Sequence, residues 1–158
     1  MARESVYWDS AAFLGLLNPN EEPHRAQKCE DVWVAAEKGH LLIVTSTFTV
    51  AEVIYIKGVP KIDPAKRPKL DRLFQAPHLA QRPLTRIIAQ LARDIVWDSN
   101  VKPKDAVHVA TSGYYSIKTF HTFDSQLLGM GVINVAGFSV QVKEPYAPRQ
   151  LNGLDETL

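Results

Sequence analysis

Short apolar runs of strand-forming residues alternate along this chain with stretches whose apolar positions recur at helical spacing. That alternation constrains the fold more than any other feature, because strands separated by helices argue for an α/β domain on a mainly parallel sheet. The first run, Val6-Tyr7-Trp8, stops at Asp9; residues 11–17 then read as a short helix and Asn18-Pro19-Asn20 as a turn. Over residues 24–38, Ala26, Cys29, Val32, Trp33 and Ala36 fall at helical spacing, and Gly39 marks the stop. Residues 41–44 are a compact strand. Further helices are expected at about 65–74 and 84–97, with a weak strand-like gap between them. Pro103 opens a helix running to about Tyr115, since proline fits the first helical position. Two more strands are expected at residues 118–123 and 139–142. After Pro145 no period survives, so we expect one domain over residues 1–145 and an irregular tail over 146–158.

The bulk numbers agree with a single domain. The chain has 158 residues, 46% apolar and 22% charged, near the soluble globular average. No apolar run reaches the roughly 18 to 20 residues of a membrane span, and the N-terminus does not read as a signal peptide. A lone cysteine, Cys29, excludes an internal disulfide and offers no zinc cluster. We read a cytoplasmic, reduced protein with no membrane association. Net charge is only +1, but residues 57–93 hold nine basic side chains against two acids, so that segment carries +7 and the remainder −6. Such a segment suits a polyanion-binding surface, but a lone charge run suits an ordinary solvated helix-and-loop region better.

Residues 47–56 are ambiguous. Phe48, Thr49, Val50, Val53, Ile54, Tyr55 and Ile56 favour a strand, yet a strand running from Leu41 to Ile56 would far exceed the usual length. A helix starting near Thr47 with Ser46 as its cap resolves the conflict. On a helix Glu52 shares a face with Phe48 and Tyr55; on a strand, with Val50 and Ile54. A carboxylate on an apolar face costs free energy unless something pairs with it. Glu52 needs a partner.

Four acids stand at element boundaries: Asp9 and Asp124 at strand ends, Asp105 in the first turn of a helix, and Glu52 after the second strand. Each has an ordinary reading taken alone. Asp9 and Asp124 suit helix caps, and Asp105 suits the positive end of its own helix. Together they would lie toward one edge of a parallel sheet, where such folds build sites. Clustered carboxylates repel, and either hold protons or gather a cation. Oxygen ligands suit Mg²⁺ or Mn²⁺ rather than zinc. A cation so held can activate water against a phosphodiester.

At these residues the chain resembles the PIN-domain family. Val6-Tyr7-Trp8-Asp9-Ser10 is similar to its first motif, and Thr45-Ser46-Thr47-Phe48-Thr49-Val50-Ala51-Glu52-Val53 to its second. Lys104-Asp105-Ala106-Val107-His108-Val109-Ala110 resembles the third and Thr122-Phe123-Asp124-Ser125 the fourth, in the family's order over about three quarters of the chain. In length it looks most like the VapC toxins of toxin–antitoxin pairs, with extra residues at 58–68 and at the C-terminus. The resemblance implies a PIN-like three-layer α/β/α fold with a mainly parallel central sheet of about four to five strands. It implies a Mg²⁺- or Mn²⁺-dependent endoribonuclease, with Asp9, Asp105 and Asp124 as metal ligands and Glu52 orienting metal-bound water. Ser10, Thr122 and Ser125 would hold the carboxylates by hydrogen bonds. It further implies an RNA substrate, a homodimer and an antitoxin partner. The alternative is a non-catalytic PIN-like RNA-binding or scaffolding protein.

Other residues have quieter readings. His108 and His121 suit packed or hydrogen-bonded histidines better than ligands. Lys102 and Lys104 flank the site and suit RNA phosphates or plain surface. Trp8, Trp33 and Trp97 suit the core or an interface, and Cys29 a buried helix face. A haloacid-dehalogenase-like phosphatase would need an acid where Ala11 stands, and a phospho-receiver an Asp that Val44-Thr45-Ser46 does not supply. Both classes are excluded.

Overall fold

The computed structural model describes residues 3–17, 22–54 and 61–147. Six strands form one sheet: β1 (Glu4–Trp8), β2 (Leu41–Ser46), β3 (Leu79–Arg82), β4 (Thr119–His121), β5 (Val132–Val135) and β6 (Phe138–Lys143). Their spatial order is β3-β2-β1-β4-β6-β5, parallel throughout except that β5 runs antiparallel to β6. Helices α1 (Ser10–Leu17), α2 (Pro23–Glu37), α3 (Thr47–Glu52), α4 (Arg67–Phe74), α5 (Arg86–Asp98), α6 (Pro103–Tyr114) and α7 (Ser125–Met130) connect them. Among the described residues, no helix is long and apolar enough to cross a membrane.

Alternation along the strands divides the core in two. Tyr7, Val44, Phe120, Val140 and Val142 face one way, packing with Ile88, Ala92 and Ile95 of α5 and Ala106, Val109 and Ala110 of α6. Val6, Trp8, Leu41, Ile43 and Leu79 face the other way, with Phe13 of α1, Cys29 and Val32 of α2 and Phe74 of α4. Successive strand side chains point to opposite faces, so a strand covered on both sides must be apolar throughout. β1 meets that demand over residues 6–8: it is central, and Tyr7 and Trp8 are wholly buried. Helices on both faces make three layers.

The ambiguous stretch after β2 is a helix. Ser46 ends the strand and accepts the Phe48 N–H on its Oγ at 3.1 Å, capping α3. The sheet has six strands where the sequence suggested four to five. The weak gap between helices is the edge strand β3, and β5 was not anticipated. β5 turns into β6 through Ala136 and Gly137, both at positive φ (48° and 86°). Such a two-residue turn is usually announced by Asn-Gly or Asp-Gly, and alanine hides it. Trp97 is 74% exposed rather than packed, with the Arg93 guanidinium 5.0 Å above its ring. The expected turn at residues 18–20, Lys57 of the basic segment, and residues 148–158 of the expected tail lie outside the described residues.

Candidate active site

The parallel register brings several chain segments to one edge of the sheet. Trp8 pairs with His121 and Tyr7 with Val44, so β1, β2 and β4 finish at one level and Asp9, Ser46 and Thr122 leave from it together. Asp9 follows β1 and is only 4% exposed. The Thr122 hydroxyl donates to its Oδ2 at 2.5 Å, and the Ala12 N–H to its Oδ1 at 3.3 Å. The Ala12 bond also caps α1, so the capping and functional readings of Asp9 coexist. Asp124 caps α7 by accepting the Leu127 N–H at 2.9 Å, and its own N–H donates to Thr122 Oγ1 at 3.1 Å. Asp105 is half-buried in the first turn of α6.

Electrostatics ties the four acids together. Burial pushes the Asp9 carboxyl up to about 6; His108 and the Thr122 hydroxyl pull it back, and Asp105 adds to the rise. Asp105 is also raised, first by burial, then by the Asp124 carboxylate, with Glu52 contributing, against His108 and Lys102. Carboxylates removed from water and set near one another resist ionisation, and a cation relieves both costs. The donor set is oxygen-only and anionic, which fits a hard divalent ion. The ligand geometry is less complete. Among the described residues, no group of three or more His, Cys, Asp or Glu side chains is arranged to hold a metal ion. Electrostatic influence reaches farther than a coordination bond, so the two observations are compatible.

Glu52, at the last position of α3, finds its partner in His108, whose Nε2 meets Glu52 Oε1. The His108 imidazole is buried, and the Tyr7 hydroxyl lies 2.7 Å from its Nδ1. Of the three hydroxyls expected to hold carboxylates, Thr122 does so. Ser10 opens α1 half-buried and Ser125 is exposed at the start of α7, and neither bonds an acid among the described residues. Thr45, which the sequence did not single out, donates to the Trp8 carbonyl at 2.7 Å and shares a 2.7 Å bond with Thr49, pinning the end of β1 to β2 and α3. Tyr7 was also missed, because an aromatic residue inside a central strand reads simply as core. His121 is buried and neutral, held down to about 3 by desolvation, with Trp8 Nε1 donating to its Nδ1 at 3.2 Å.

Lys102 and Lys104 are exposed at the mouth of α6. Ser46 pairs with Arg82, so exposed Arg82, and Arg86 at the start of α5, also belong to the edge that carries the acids. The sequence profile of the PIN domain matches residues 6–132, a span containing all four acids, the last three residues of β1 and the whole of β2, β3 and β4. The chain belongs to the PIN-domain family. The PIN fold is also recovered in three dimensions. The crystal structure of Mycobacterium tuberculosis VapC20, described as a sarcin–ricin loop cleaving toxin, superposes with a TM-score of 0.64. Sequence identity is 13%, and the match covers 82% of this chain and 98% of that one. No curated protein matches the chain in sequence.

Proposed function

We propose that this PIN domain is a metal-dependent endoribonuclease that hydrolyses RNA phosphodiester bonds, and that it is the toxin of a VapBC-type pair acting in the cytoplasm. The observation carrying the proposal is the buried Asp9 carboxyl, raised toward neutrality and coupled to an Asp105 that feels Glu52 and Asp124. Helix capping accounts for Asp9 and Asp124 singly, but a structural domain gains nothing by setting repelling acids near one another, whereas a cation-binding nuclease needs them together.

Asp9, Asp105 and Asp124 are the residues that would hold Mg²⁺ or Mn²⁺. A divalent ion there supplies a more acidic water and stabilises charge developing on the phosphate. Thr122 keeps the Asp9 carboxylate aimed by hydrogen bonding, which preserves its geometry when it ionises. Glu52 orients the attacking water. Lys102, Lys104 and Arg86 meet phosphates of the RNA. Ile87, Trp97, Met130 and Val132 are exposed apolar side chains that a homodimer or antitoxin contact would cover.

Cleavage of RNA in Mn²⁺ by the wild type, abolished in Asp9→Asn and in Asp105→Asn, is the expected result. Unchanged cleavage in either variant would falsify the four-carboxylate mechanism. Salt-sensitive RNA binding without metal-stimulated cleavage would instead mark a non-catalytic RNA-binding PIN domain. The toxin role predicts growth arrest on expression of the chain alone, relieved by co-expression of an adjacent small gene.

A further inference from the structure

Tyr7, His108 and Glu52 form a hydrogen-bonded chain from the middle of the sheet to the acid cluster. Tyr7 Oη lies 2.7 Å from His108 Nδ1, and His108 Nε2 bonds the Glu52 carboxylate. Tyr7 and His108 are buried, whereas Glu52 retains partial exposure at the site. Aromatic neighbours restrict both rings. Phe48 stacks on the imidazole with centroids 5.8 Å apart, and Phe120 stacks on Tyr7 at 5.1 Å.

His108 offsets the Asp9 and Asp105 shifts only when it carries a charge. In the neutral imidazole there is one N–H, and the bond made by one nitrogen decides which tautomer the other presents. A phenol keeps its proton at neutral pH, so the Tyr7 hydroxyl is able to donate. Donating that proton to Nδ1 requires the ring N–H to sit on Nε2, where it faces an anionic acceptor. The opposite tautomer would point the Nε2 lone pair at the Glu52 carboxylate, leaving a buried acceptor against another acceptor. A phenylalanine at position 7 would fill the core equally well, yet would leave only the Glu52 contact to choose between the tautomers.

We propose that Tyr7 is a positioning residue for Glu52, acting through His108: its hydroxyl fixes the Nε2–H tautomer, and that N–H holds the Glu52 carboxylate in one orientation beside Asp105. The role deepens the reading of Glu52 as the group that orients water, and its functional half rests on that reading. A freely rotating Glu52 would spend part of its time turned from the reacting water. Such a loss appears in kcat and leaves RNA binding intact.

The test has two arms with separate readouts. In ¹⁵N–¹H spectra of the wild-type chain, His108 is expected to show an N–H at Nε2 and a bare, hydrogen-bond-accepting Nδ1. Tyr7→Phe is expected to shift that pattern toward a mixture. An N–H at Nδ1 in the wild type, or protons on both nitrogens, overturns the proposal without touching the ribonuclease reading. In kinetics on a defined RNA, Tyr7→Phe should lower kcat about 10-fold with KM unchanged, within the usual range for residues that support a site from behind. His108→Gln, which retains an N–H donor, should keep about 10-fold more activity than His108→Ala. A wild-type kcat in folded Tyr7→Phe, or equal losses in the two His108 variants, overturns the positioning role. Should Glu52→Gln cleave like wild type, the assigned role of Glu52 fails and this role with it, while the spectrum still decides the tautomer.

Discussion

The Thr122 hydroxyl donates to Asp9 Oδ2 at 2.5 Å across 113 positions of chain and at the same time accepts the Asp124 N–H at 3.1 Å. One side chain therefore ties the acid that follows β1 to the acid that follows β4. The bond to Asp9 favours the ionised carboxyl and opposes the effect of burial. The bond from Asp124 fixes the backbone entering α7.

Replacing Thr122 with valine keeps the shape and removes both bonds. A buried carboxyl oxygen and a backbone N–H lose their partner, which costs about 1 to 3 kcal/mol. Urea denaturation at pH 7 should register that loss, and Thr122→Ser should recover most of it. RNA cleavage should fall with the valine variant, because Asp9 becomes harder to ionise.

The raised Asp9 carboxyl predicts an unusual pH dependence in metal-free protein. Its folded pKa is about 6 against an ordinary 3.8, so the folded state holds the proton more tightly than the unfolded chain. Stability from this group is complete below pH 3.8 and is lost as pH rises toward 6, by about 3 kcal/mol. Asp9→Asn is neutral at every pH. Thermal melts in a chelator should therefore find Asp9→Asn more stable than wild type above pH 6, with the gain vanishing near pH 4. Added Mn²⁺ should raise the wild-type Tm and leave the variant unmoved, since only a ligand of the folded state shifts the melt.

Gly113 marks where α6 meets the antiparallel edge strand. A Cβ there would stand 2.4 Å from the Val135 Cβ and 2.7 Å from both of its methyl carbons. Valine is stiff at χ1 and cannot swing aside. Gly113→Ala should destabilise the fold by about 1 to 3 kcal/mol despite alanine's better helix propensity. Pairing it with Val135→Gly, which removes the clashing Cβ along with both methyls, should restore part of the loss, measured as a non-additive term in a double-mutant cycle.

The sequence was most legible where physics is local. Apolar period placed the helices, Ser46 announced the α3 cap, and the strand-terminal acids stood out because a carboxylate beside an apolar run needs a reason. It was least legible where the decisive partner is remote in sequence. His108 meets Glu52 across 56 positions and Tyr7 across 101, distances at which no spacing rule operates. β5 escaped because its exposed–buried alternation lasts only four residues and its turn sets alanine, rather than asparagine or aspartate, before Gly137. Ser10 looked equivalent to Thr122 in its motif, yet only Thr122 follows a strand that places its hydroxyl against Asp9.

Lys102 and Lys104 bracket Pro103 at the mouth of α6, exposed and close enough that Lys102 lowers the Asp105 carboxyl. If they bind RNA, each contributes through counterion release. On single-stranded RNA, log K then falls with log salt by about 0.7 for every phosphate neutralised. Changing both to alanine should make the slope shallower by about 1.4, and should raise KM more than it lowers kcat. The Lys102 change carries a second signature, because losing its charge leaves Asp105 less opposed in its upward shift and so harder to ionise. Lys102→Ala should thus move the acidic limb of the cleavage profile to higher pH, and Lys104→Ala should leave that limb in place. Fluorescence anisotropy across a salt series with inactive Asp9→Asn as background measures the slope, and an unchanged slope in the double variant removes both lysines from the RNA path.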